Sequence, residues 1–182
     1  MSTIITEVDY EVVIPELRAI NGESIHVASV IGGLQYTFSL LVLLKSLLFH
    51  RSKPLMLHLI VDNDSKPVVA EMLDSWQIPA LKYQFYAVED YANLTSWIPN
   101  VHYSANFGHI KLLIPTILKQ LDKVIVLDND LLFLDDIVLM WDFLQNMETL
   151  FGMVPEQVPL HMLEPNHWPA LVIILFFLVP FF

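Results

Sequence analysis

The sequence predicts an α/β domain built on a mostly parallel sheet with helices on both faces. Three observations predict it. Short apolar runs recur along the 182 residues, and several are apolar throughout, as strands buried on both faces must be. Longer segments of helical length lie between them. Strand and helix alternate through most of the chain, which implies parallel pairing.

The elements follow in order. Ile25 to Ile31 runs apolar into Gly32 and Gly33 and reads as the first strand. TFSLLVLLKSLLFHR (37–51) is long enough for a buried helix of about four turns. PLMLHLIVD (54–62) reads as the second strand. KPVVAEMLDSW places Pro67 near a first helical turn, with Asp64 or Ser65 as the cap. ALKYQFYAV (80–88) alternates as a strand. FGHIKLLIPTILKQL has a helical pattern that Pro115 must bend or start. KVIVLDND is a strand, DIVLMWDFLQNM a helix and TLFGMVPE a strand. No internal repeat, low-complexity tract or interdomain linker is visible.

Composition narrows the function. Hydrophobic residues make up 55% and mean hydropathy is +0.55, which excludes disorder. Nine Lys and Arg stand against 20 Asp and Glu, a net charge of -11. A nucleic-acid partner held by a basic face is therefore not expected. An acidic chain that handles phosphates needs a metal ion or a few placed cations. The absence of cysteine excludes disulfides and thiolate metal sites and leaves the redox compartment open. The N-terminus, with early acids and no long apolar core, is expected to be neither signal peptide nor anchor. Asn63-Asp64-Ser65 and Asn93-Leu94-Thr95 have the form of glycosylation triplets, which act only in a lumenal compartment.

In α/β sheets, ligands bind outside the carboxyl ends of the strands. Gly32, Gly33, Asp128 and Asp130 stand at such ends. Two adjacent carboxylates repel, and a divalent cation removes the repulsion. Hard oxygen donors select Mg2+ or Mn2+, which bind through one or two carboxylates plus substrate phosphates. Asp and Asn also favour turns, so a strand ending in a polar turn is the competing reading. Phosphatases of the haloacid dehalogenase type place D-x-D after a strand too. Theirs lies near the N-terminus and is followed by Gly-Thr; here Leu131 and Leu132 follow.

Several stretches together resemble the family 8 glycosyltransferases, especially the LARGE-like xylosyl- and glucuronyltransferases. They are HVASV (26–30), LLKSLLFHR (43–51), LHLIVD (57–62), SWIPNVHYS (96–104), FGHIKLLIPTIL (107–118), LDKVIVLDNDLLFLDDI (121–137) and HWPAL (167–171). The resemblance implies a nucleotide-sugar-binding A-type glycosyltransferase fold, incomplete at the C-terminus. It implies Asp128 and Asp130 as ligands of Mn2+ or Mg2+, with Asn129 between them in the donor site. It puts Lys111, seventeen residues before Asp128, against the donor nucleotide. It makes Ala28, Ser29 and Val30 the strand end whose backbone receives the uracil. The implied partners are a UDP-sugar donor, such as UDP-xylose, and a glycan or glycoprotein acceptor, and the implied location is the Golgi lumen.

Other residues invite roles but read as structural. Lys111 alone would be a surface helix lysine. His102 and His109 are ordinary loop or helix histidines. Trp76, Trp97, Trp141 and Trp168 are expected in the core, and Glu89-Asp90 in a solvated turn.

The resemblance stops after residue 171. The family's Asn-Thr-Gly or Asn-Ser-Gly stretch is replaced by VIILFFLVPFF (172–182), and no histidine follows His167 to complete a metal site. The expected organisation is an N-terminal extension (1–24), a partial glycosyltransferase domain (25–171) and a divergent apolar tail (172–182). The 14 residues from Pro169 are too few to span a bilayer. They could form a buried strand, a weak membrane-surface segment or the product of a misread gene end, and Pro180 argues against a central strand there. Two functions stay open, a metal-dependent sugar transferase and an inactive remnant that at most binds nucleotide. A membrane-associated accessory protein is a third.

Overall fold

A computed structural model gives the fold and describes residues 20–99, 105–147, 149, 151–153 and 175–178. The elements are β1 (Ile25–Ile31), α1 (Thr37–His50), β2 (Leu55–Val61), α2 (Ser65–Trp76), β3 (Leu81–Ala87), α3 (Ala92–Thr95), α4 (Ala105–Ile110), α5 (Ile114–Ile117), β4 (Lys123–Leu127), α6 (Val138–Gln145), β5 (Phe151–Met153) and β6 (Leu175–Leu178). The strands lie in the order β3-β2-β1-β4-β6-β5. β3, β2, β1 and β4 are mutually parallel. β6 runs antiparallel between β4 and β5.

β1 and β2 are buried on both faces, which explains their unbroken apolar character. One layer packs Ile25, Val27 and Ile31 with Leu57, Leu59 and Ile125 against Leu43, Leu47, Val69 and Trp141 of α1, α2 and α6. The opposite layer packs Ala28, Val30, Ile60, Val124 and Val126 against Ile110, Ile114 and Ile117. Alternate residues of each strand thus serve opposite layers. The second layer also buries polar groups: His58 Nε2 lies 2.9 Å from His26 Nδ1, and His58 Nδ1 lies 3.0 Å from the Tyr86 hydroxyl. Burial first, and the neighbouring His26 second, depress the His58 pKa to about 4.

Several expectations need correction. The helical stretch FGHIKLLIPTILKQL divides into α4, a 3-10 turn at Lys111–Leu113 and α5, with Pro115 in a first turn as one of its two expected placements. Proline lacks the N–H that would continue the helix from before. Asp64 stands at the N-cap of α2 as expected but makes no side-chain capping bond; the Ser65 amide donates instead to the Asp62 carboxylate at 2.7 Å. Within TLFGMVPE the described residues form the strand β5 (Phe151–Met153), in an antiparallel part of the sheet. Trp141 is core as expected, but Trp97 is 78% exposed, its indole N–H donating to the Leu94 carbonyl at 3.0 Å. His102, Trp168 and Pro180 lie outside the described residues.

The tail reads differently in three dimensions. Leu175–Leu178 pair with Val126 to Lys123 on one side and with β5 on the other, so this part is a strand between two others. No helix among the described residues is long and apolar enough to cross a membrane.

Candidate donor-binding site

The candidate site lies where β1, β2 and β4 end. β4 is buried from Val124 to Leu127, and the chain turns at Asn129 and Asp130 as soon as it leaves the sheet. Apolar β-branched residues carry the strand to the edge, and Asp and Asn turn it. Asp128 is half-buried and Asp130 exposed.

Lys111 reaches Asp128 from the 3-10 turn after α4. Its Nζ donates to Asp128 Oδ1 at 2.7 Å. Lys111 is 8% exposed, so it is not the surface lysine that its helical surroundings suggest. A buried ammonium is costly unless paired, and Asp128 supplies the pairing. The break at Pro115 puts Lys111 in the turn rather than mid-helix.

Asn129 points back into the fold. Its Nδ2 donates to the Val30 carbonyl at 2.8 Å, and its Oδ1 accepts from the Ser29 hydroxyl at 2.5 Å. Ser29 Oγ also lies 3.0 Å from the Leu127 carbonyl. Ala28, Ser29 and Val30 are 0%, 2% and 5% exposed, inside β1 rather than at its tip. The tip itself is Gly32-Gly33. A Cβ on Gly32 would stand 2.2 Å from the Phe107 ring, so glycine lets α4 approach β1. Gly33 has φ +101°, a region that favours glycine.

One residue at this edge was given no role from the sequence. Asp62 ends β2 and accepts from the Gly33 amide at 2.5 Å and the Ser65 amide at 2.7 Å. It joins the first two strand ends. Burial pulls its carboxyl upward, but hydrogen bonds from Ser65, Gly33 and Asp64 outweigh this and leave it below its ordinary value. The sequence signal was present: an Asp directly after an apolar strand, three residues before Ser65. Glu89 contributes similarly, accepting from the Asn63 amide at 3.0 Å. His109 lies on α4 with its Nδ1 buried.

The donor set has the chemistry for a hard cation, two carboxylates one residue apart at an open edge. Among the described residues, no group of three or more His, Cys, Asp or Glu is arranged to hold a metal. A metal held by these two carboxylates would have to take its other ligands from water or a phosphate.

Residues 30–172 match the family described as Glycosyl transferase family 8. This chain belongs to that family. The family match ends at residue 172, at the start of the apolar tail. Among curated proteins, this family 8 chain is 40% identical over 156 residues to the mouse (Mus musculus) xylosyl- and glucuronyltransferase LARGE2, covering 82% of this chain and 23% of that one. It is 38% identical to the human (Homo sapiens) xylosyl- and glucuronyltransferase LARGE1, covering 82% and 21%. It thus spans about a fifth of these relatives' length. Among solved structures, apo mouse xyloside xylosyltransferase 1 superposes with a TM-score of 0.60 at 16% identity, over 74% of this chain and 53% of that one. The galactosyltransferase LgtC, solved with donor and acceptor sugar analogues, gives 0.60 at 16%, over 85% and 58%. These likenesses show the A-type glycosyltransferase fold, of which this chain holds part.

Proposed function

We propose that this glycosyltransferase domain binds a UDP-sugar, UDP-xylose or one like it, together with Mn2+ or Mg2+, for transfer of the sugar to a glycan or glycoprotein. The observation that carries this reading is the pairing of Asp128 with buried Lys111, beside Asp130, at the carboxyl edge of the sheet. Asp128 and Asp130 would hold the metal, which when bound polarises the donor diphosphate as a leaving group. Lys111 supplies a buried cation beside Asp128 and can hydrogen-bond a phosphate oxygen. The tip of β1 is the surface offered to the uracil. The Ala28 and Ser29 side chains, being buried, act behind it. Family resemblance suggests the Golgi lumen.

Titration with UDP in Mn2+ and again in chelator tests the reading. UDP should bind more tightly with Mn2+, and Asp130→Asn should remove most of that difference. Equal binding with and without metal rejects the metal part. Transfer itself is read as UDP release from UDP-xylose and UDP-glucuronic acid.

A second reading, a nucleotide binder without turnover, is favoured by the two-carboxylate donor set. Metal-dependent UDP binding with no UDP release from either donor would select it.

A further inference from the structure

We propose that Asn129 is a positioning residue: its side chain ties the D-x-D turn to β1 and so sets where Asp128 and Asp130 point. The inference rests on the metal-binding reading of those carboxylates. It assigns the middle residue a task directed inward instead of toward the ligand.

The backbone ladder between β1 and β4 closes at Ser29 opposite Leu127. One residue on, the Val30 carbonyl has no β4 partner in that register. The Asn129 amide takes its place, donating Nδ2–H at 2.8 Å. In effect, a side chain adds a rung while the main chain is already turning away. The other half of the amide accepts from Ser29 Oγ at 2.5 Å.

This arrangement has one workable orientation. Exchanging Oδ1 and Nδ2 would set one oxygen against the Val30 carbonyl oxygen, two acceptors with no proton between them. Ser29 is 2% exposed, so water cannot substitute for the missing partner. Ser29 has a single hydroxyl proton and two acceptors, Leu127 O at 3.0 Å and Asn129 Oδ1 at 2.5 Å. The shorter contact is the one to the turn. With its middle residue pinned at both ends of the amide, the turn holds Asp128 against Lys111 on one side and leaves Asp130 in solvent on the other.

The decisive variants are Asn129→Ala, Asn129→Asp and Ser29→Ala in the full chain, read without turnover. Loss of two hydrogen bonds should speed hydrogen exchange at residues 128–131 by about tenfold or more in Asn129→Ala. Exchange in β2 and β3 should stay as in the parent. Mn2+ binding, followed by electron paramagnetic resonance without nucleotide, should weaken about tenfold. Asn129→Asp separates positioning from ligation. A third carboxylate that faced the metal would tighten Mn2+ binding. One that faces the Val30 carbonyl loosens it, which is the expected result. Ser29→Ala should act in the same direction, and its effect should not add to that of Asn129→Ala. Unchanged exchange at 128–131 in Asn129→Ala, or tighter Mn2+ in Asn129→Asp, overturns the proposal. If the parent chain takes up no Mn2+, the metal reading falls, and the exchange result alone decides whether Asn129 holds the turn.

Discussion

At the scale of single residues, the site is governed by how few cations the chain has. Lys111 is buried beside a carboxylate in a protein of net charge -11. A charge-assisted hydrogen bond contributes roughly 1.5–3 kcal/mol. Lys111→Ala should therefore weaken UDP binding about tenfold or more and leave uridine binding nearly unchanged. Calorimetry with both ligands checks it; equal losses would make Lys111 a structural residue. The two aspartates stood out in the sequence at the end of an apolar strand, whereas Lys111 was singled out only by the family resemblance and on its own read as a surface lysine. Asn129's inward direction was not. A side chain between two aspartates carries no mark of which way it points until β1 lies beside it. The Ser29 side chain's partners were hidden for the same reason, since Leu127 and Asn129 lie about a hundred positions away.

At the scale of elements, the strand tips are held by contacts between segments distant in sequence. Asp62 joins the end of β2 to Gly33 and to the start of α2. Asp62→Ala removes a helix-capping bond and the Gly33 anchor and should cost about 1–2 kcal/mol in chemical denaturation. An unchanged denaturation midpoint would mean that the loop holds itself. Gly32 makes the matching contact to α4. A larger residue there meets the Phe107 ring, four residues before Lys111. Gly32→Val should destabilise by about 1–3 kcal/mol and weaken UDP binding, because the segment carrying Lys111 must shift. Adding Phe107→Ala should recover part of both losses, and failure to do so would place the damage elsewhere. The element order was readable because apolar runs and their lengths separate strand from helix. The interruption at Pro115 was readable from its missing N–H, but the 3-10 turn at Lys111–Leu113 was not, because the apolar periodicity runs through it.

At the scale of the whole molecule, buried His58 between half-buried His26 and Tyr86 makes stability depend on pH. His58 titrates near pH 4 in the fold against 6.5 when free. His26 is also depressed, chiefly by burial, with Glu23 opposing, and burial pushes the Tyr86 phenol up. The unfolded chain therefore binds the His58 proton first as pH falls, and the native state is favoured only while His58 is neutral. Stability should be full above pH 6.5 and decline between 6.5 and about 4, by something on the order of 3 kcal/mol from His58. Denaturant midpoints across that range check it, and His58→Gln should flatten the slope. The sheet makes a second global prediction. β6 covers the edge of β4 opposite β1. Deleting residues 172–182 should expose that edge and produce aggregation visible in light scattering. A monodisperse truncated chain would show that β6 protects nothing.

What the sequence by itself determined is the α/β order, the two-sided burial of β1 and β2, and the carboxylates at the end of β4. These follow from local composition and periodicity, which need no partner to be read. Tertiary structure alone decided the rest. It put Leu175–Leu178 inside the sheet despite the loss of family pattern, because a strand is chosen by the edge it can pair with. It buried Lys111 against Asp128, turned Asn129 back toward β1, and made Asp62 the link between two strand ends. Each of these is a hydrogen bond or ion pair between segments far apart in the chain, and such partners exist only once the sheet has brought them together.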